Sequence, residues 1–142
     1  MPAAKTWTAV VERWLLDGVR SRAPASTAEL DRFEARCGVS LPADIASYFR
    51  VVGGMREDEM EREMIRFWPL SEVSPASEHV DGADPDLFVF ADWSLWCHGY
   101  AFRASGAGDV WLVDGGTPSR VSDDFLGFWD AYLHDPMRLF PR

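Results

Sequence analysis

The sequence predicts an α+β fold, with N-terminal helices and a C-terminal helix packed on a mostly antiparallel sheet. Three observations predict it. Apolar residues recur at helical spacing towards both ends, over 6–52 and 122–133. Between them, over 64–113, they fall instead into short runs separated by glycine- and proline-bearing turns, the pattern of buried strands. Helices and strands grouped in this way, rather than alternating, pack as helices on an antiparallel sheet. The length of 142 residues suits one compact domain over 1–142.

The first helix is expected over about Thr6 to Val19. Trp7, Val10, Val11, Trp14 and Leu15 form its apolar stripe, and Gly18 and Pro24 mark its end. Ser26-Thr27-Ala28-Glu29 is a capping box, in which serine and glutamate each satisfy a free backbone amide of the other's turn. Leu30, Phe33 and Cys37 then share one face, and Gly38 suits the left-handed residue that closes a helix. A further helix starts at Leu41-Pro42-Ala43-Asp44, with proline in its first turn, where a missing amide costs nothing. Ile45, Tyr48, Phe49 and Val52 are its apolar face and Gly53-Gly54 its end.

The charged stretch 55–64 is expected to be a loop or a frayed helix extension. Strands are expected at Met64–Trp68, stopped by Pro69, at Leu87–Ala91, at His98–Arg103 and at Val110–Val113. The last two are joined by the glycine-bearing loop 104–108, and Asp114-Gly115-Gly116 turns the chain again. Ser122 is the expected cap of a final helix running to about Leu133, with Asp123 and Asp124 in its first turn. Its stripe is Phe125, Phe128, Trp129, Tyr132 and Leu133, and Pro136 ends it.

Charge is the most informative feature of the composition. The chain carries 14 Lys and Arg against 23 Asp and Glu, a formal charge of −9. From Glu57 to Asp92 eleven acids (Glu57, Asp58, Glu59, Glu61, Glu63, Glu72, Glu78, Asp81, Asp84, Asp86 and Asp92) face only Arg62 and Arg66, so this quarter of the chain holds the whole excess. This balance argues against direct nucleic-acid binding, since each phosphate contact needs a cation. A basic protein partner fits it, as does a solvated surface that keeps the protein in solution. The apolar runs are too short for a membrane span, and the start lacks the apolar core of a secretory signal, so a cytoplasmic protein is expected. Cys37 and Cys97 are expected to be buried free thiols.

Catalytic and metal chemistry finds little footing. There is no Cys-x-x-Cys and no His-Glu-x-x-His, and the adjacent Cys97 and His98 would face opposite sides of a strand. Asp81, Asp84 and Asp86 lack the spacing and the glycine of a calcium loop. Cys37 and Cys97 read as packing residues rather than nucleophiles beside His79, His98 or His134. The glycine pairs lack the lysine of a phosphate loop. No catalytic residue, metal or cofactor is therefore assigned. Among the seven tryptophans, Trp7, Trp14, Trp111 and Trp129 read as core. Trp93 and Trp96, beside Asp92, read as interface anchors, a role in which aromatics are enriched.

Several of these residues carry a resemblance. Leu30–Phe33–Glu34, Leu41-Pro42-Ala43-Asp44, Tyr48–Phe49 and Gly53-Gly54, followed by Phe67-Trp68-Pro69-Leu70, Phe88 to Asp92, Tyr100 to Phe102, Val110 to Val113 and the helix with Phe125 and Phe128, resemble the SUKH superfamily over about 10–133. The resemblance implies an α+β fold without a catalytic constellation. It also implies an immunity protein that neutralises a polymorphic or contact-delivered toxin, such as a nuclease or deaminase, by binding it. A regulatory scaffold with a housekeeping partner, as among fungal relatives, is the alternative. The expected contact residues are Glu57, Asp58, Glu59, Glu61, Glu63, Asp81, Asp84, Asp86, Trp93 and Trp96, gathered into one acidic face that steers a cationic protein.

Overall fold

In the computed structural model, which describes residues 2–141, helices begin where local chemistry starts them. Helix α1 spans Pro2–Leu16. Trp7, Val10 and Trp14, three and four residues apart, form its buried line. Leu15, assigned to that stripe from sequence, is 65% exposed, because it sits about 100° round the helix from Trp14. The helix starts and stops before the expected 6–19. Val19 is nonetheless buried, carried inward by a turn at Gly18 and held by its amide on the Trp14 carbonyl at 2.9 Å.

Helix α2 spans Thr27–Cys37 and has both arms of the capping box, each 3.1 Å long. Gly38 closes it in the left-handed region. Glu34 then reaches forward to accept the Leu41 amide at 2.6 Å, which fixes the short link to α3, Ala43–Val51. Pro42 stands at the N-cap of α3 and not within its first turn. Its carbonyl accepts the Ile45 and Ala46 amides, both at 3.0 Å.

Helix α4 spans Phe125–His134, and its cap is Asp124 rather than Ser122. The Asp124 carboxylate accepts the Gly127 amide at 2.6 Å, a charge-assisted bond at the positive end of the helix. Asp123 and Asp124 thus precede the helix. Ser122 ends a strand instead and donates its hydroxyl to the Asp124 carbonyl.

Six strands pair antiparallel: β1 Ile65–Phe67, β2 Ser74–Pro75, β3 Leu87–Trp93, β4 His98–Arg103, β5 Val110–Val113 and β6 Ser119–Ser122. Their order is β1-β3-β4-β5-β6, with β2 also paired to β3. Strands β2 and β6 carry no apolar pattern to announce them, since their residues are exposed or half-buried.

The register assigns each residue a face. Phe88, Phe102 and Val110 form one cross-strand row, and Ala91, Tyr100 and Leu112 another, both beneath the helices. Between Val89 and Ala91 the β3–β4 register shifts, so Phe90 and Ala91 both reach this core instead of alternating. Val89, Ala101 and Trp111 form a row on the opposite, outer face. There a smaller cluster of Trp68, Ala76, Leu87, Val89, Ala101 and Val113 lies under the 74–86 segment. Among the described residues no helix is long and apolar enough to cross a membrane.

The link from α3 into the sheet depends on Gly53. A methyl group built there would lie 1.7 Å from the Arg22 carbonyl oxygen, while the Arg22 amide holds the Gly54 carbonyl at 2.9 Å. A Gly53→Ala variant is expected to lose about 3 kcal/mol of stability, at the upper end of ordinary overpacking, because a backbone atom must move. Urea denaturation measures it; a change below about 0.5 kcal/mol would show that this contact is soft.

Candidate functional site

The acidic segment leaves α3 as the loop 56–64 and enters β1. Its carboxylates do not form one continuous face, because arginines from outside the segment reach several of them. Glu59 pairs with Arg20 at 3.2 Å and Glu63 with Arg13 at 3.5 Å. Within the segment Glu72 pairs with Arg66, while Arg62 turns away to Asp17, both at 2.9 Å. Asp84 and Asp86, expected on the docking face, converge with Asp109 on Arg103, at 3.0, 3.7 and 3.2 Å. The Asp84 carboxyl is held below its ordinary range by the Asp86 amide and by Arg103. For Asp109 burial works the other way, but bonds from Trp111 and Arg103 outweigh it. Of the proposed contact acids, Glu57, Asp58 and Asp81 are exposed and in no ion pair among the described residues.

Glu61 is a correction. Only 4% exposed, it points inward and cannot meet a partner. One carboxylate oxygen accepts the Tyr132 hydroxyl at 2.5 Å, and the other accepts the amides of Glu63 and Ile65 at 2.6 and 3.1 Å. The Tyr132 oxygen in turn accepts the Trp14 indole N–H at 2.9 Å. Arg13 lies over the Tyr132 ring, 4.4 Å from its centre, and donates to the Tyr132 carbonyl at 2.8 Å. The acidic loop is thereby stapled to α1 and α4. Burial raises the Glu61 carboxyl above its ordinary value, against the lowering effect of its hydrogen bonds.

Trp93 ends β3 and Trp96 lies within the β3–β4 turn, Ser94-Leu95-Trp96-Cys97; both are half-buried. Trp93 stacks on His98 and packs edge-on to Phe140, and its indole N–H donates to the Glu63 carbonyl at 3.0 Å. Trp96 folds back over the outer face, beside Trp68 and His79. A methyl group at Gly99 would come within 2.6 Å of its ring. Both indoles therefore serve the turn as packing.

The turn needs such support. Ser94, Leu95 and Trp96 have φ of 49°, 58° and 69°, a left-handed run with no glycine, which costs about 1–2 kcal/mol per residue. Asp92 holds it from the outer face: one oxygen accepts the Trp96 amide at 2.9 Å and the other the Trp68 indole N–H at 2.6 Å. The Cys97 amide returns to the Trp93 carbonyl at 2.8 Å, and the Ser94 amide crosses to the Met64 carbonyl at 2.9 Å. Leu95 stands at the tip, 80% exposed. It is not among the expected contact residues, which include the tryptophans beside it. The signal was a strand-to-strand turn with no glycine, asparagine or proline.

The thiols also differ from expectation. Cys97 is exposed and Cys37 half-buried, and both are free. His98 is buried under Trp93 and against Tyr100, and desolvation lowers its pKa. No group of three or more His, Cys, Asp or Glu among the described residues is placed to hold a metal ion.

Compared with known families, residues 24–131 match the model of the SMI1 / KNR4 family (SUKH-1), from just before α2 into α4. A search of curated proteins found no match.

Two variants test this geometry. A group whose folded pKa is raised stabilises fully below its unfolded pKa and loses that contribution as pH rises through the folded value. The stability of wild type relative to Glu61→Gln is therefore expected to fall as pH climbs above the ordinary glutamate value of about 4. Parallel stability–pH curves would refute a titrating Glu61. Gly99→Ala is expected to cost about 1–3 kcal/mol by lifting Trp96 off β4, read as a lower denaturation midpoint. An unchanged midpoint would show that Trp96 does not brace the turn.

Proposed function

The chain belongs to the SMI1 / KNR4 family (SUKH-1), and on that premise we propose that it is a cytoplasmic protein-binding module of the immunity type, which silences a cationic toxin or effector by occupying it. The observation that carries this reading is where unpaired charge remains. Arginines answer much of the acidic segment, yet Glu57 and Asp58, at the head of the 56–64 loop, stay exposed outside any ion pair among the described residues. Charge that stabilises nothing in its own fold is free to act at a distance on a partner. Together with Ser21, Arg22, Ala23 and Arg56, these two residues line a hollow open to solvent, as suits a protein surface better than an enclosed small molecule. Nuclease and deaminase toxins that handle nucleic acid carry the positive surfaces such charge would seek.

Occupation needs no chemistry from this chain, only rapid encounter and slow release. Complementary charge governs the first. Glu57→Lys combined with Asp58→Lys is expected to slow association with the captured partner about tenfold at low salt and to flatten its salt dependence, with dissociation little changed. Stopped-flow mixing at several ionic strengths measures this. Association rates equal to wild type at every salt concentration would overturn the steering role. Protection of cells expressing a toxin found beside this protein would separate the immunity reading from a housekeeping scaffold.

A further inference from the structure

All four non-glycine residues with positive φ among the described residues occur in two turns that touch. Met64, with φ 66°, closes the acidic loop, and Ser94, Leu95 and Trp96 make the β3–β4 turn. The turns are joined three ways: by the Ser94 amide on the Met64 carbonyl, by the Trp93 indole on the Glu63 carbonyl, and by the pairing of Ile65 with Trp93. Backbone strain persists only where the surroundings enforce it, and it concentrates at sites of function. Here Asp92, Gly99, Trp68 and Trp96 enforce it, and what it presents to solvent is apolar. Leu95 is 80% exposed and Met64 48%. A turn selected for stability alone would place glycine or asparagine at these angles and a polar residue at the tip.

We propose that Met64 and Leu95, held out by these paired turns, form the apolar anchor by which the protein docks into a non-polar recess on a cationic protein. The proposal rests on the binding-module reading and names its contact. Complementarity of charge selects the partner: Met64 ends the same loop that carries Glu57 and Asp58, exposed beside Arg56 and in no ion pair among the described residues, while Glu59 and Glu63 are answered by Arg20 and Arg13. The flexible thioether of methionine and the branched leucine tip suit a recess that excludes water, where a few side chains set the rate of release. Trp93 and Trp96 act behind them as the frame.

The strain supplies the test. Leu95→Gly and Leu95→Asn both remove the anchor while relaxing the left-handed backbone. The probe is the protein retained by tagged full-length wild type from its own cells, identified, produced separately and titrated by biolayer interferometry. Both variants are expected to melt at or above the wild-type temperature and to bind this protein at least tenfold more weakly through faster dissociation. Met64→Asn is expected to do the same to a lesser degree. Affinity unchanged in the Leu95 variants would overturn the anchor; if the Glu57 and Asp58 double variant still slowed association, the binding-module reading would survive that loss. A retained protein with no excess of positive charge would overturn the partner's stated chemistry. If the wild type instead formed a dimer that Leu95→Gly dissolved, with no other protein retained, the occupant would be a second copy and the proposal would fall.

Discussion

Trp129 occupies the point where α1, α3 and α4 meet the sheet. It stacks on Tyr48 at 4.9 Å and lies against Phe67 at 4.8 Å, with Trp7, Trp14 and Phe128 edge-on or tilted around it. Aromatic rings in this arrangement combine large apolar burial with directional preference, so the layer fixes the angles between helices as well as holding them down. This packing gathers the helices on one face of the sheet and sends the loops that connect the strands to its ends. What the molecule can offer a partner is whatever that layer leaves outside: a thinly covered outer face, the acidic loop and the β3–β4 turn.

The arginines decide how much of the negative charge remains available. Arg13 is drawn in from an element remote in sequence, Arg103 from the strand beside its acceptors, and each serves more than one of them. Surface pairs such as Arg20–Glu59 and Arg120–Asp123 add little stability individually. Their larger effect is on the field at the surface, which they divide into paired zones and a few bare carboxylates. Net charge is a property of composition, but a docking field is a property of pairing, and the two need not coincide.

That distinction explains which parts of the molecule were legible in the sequence. The capping box at Ser26 and Glu29, the left-handed Gly38 and the strands through Phe88, Tyr100 and Leu112 rest on local chemistry or short periodicity, and they stand where expected. The family likeness held for the same reason, since its residues are mostly of this kind. Glu34 is an instance, its carboxylate fastening the start of α3. The α4 cap was misplaced because Ser122 and Asp124 are both good caps, and only the extent of β6 decides between them. Glu61 was misread because burial of a carboxylate depends on Tyr132 and Trp14, which are distant in the chain. Trp93 and Trp96 are candidate contact residues on sequence because a tryptophan beside an aspartate looks the same whether it greets a partner or braces its own turn.

Helix α1 lies outside the stretch shared with the family, yet Trp7 and Trp14 are fully within the core and Arg13 and Trp14 reach the Tyr132–Glu61 staple. A fragment trimmed to 24–131 would therefore strip α1 from the aromatic layer and lose Tyr132 from its other side, leaving Tyr48, Phe67 and Trp129 open to water. The boundary of kinship and the boundary of foldability fall at different places along this chain, and the N-terminal helix belongs to the second.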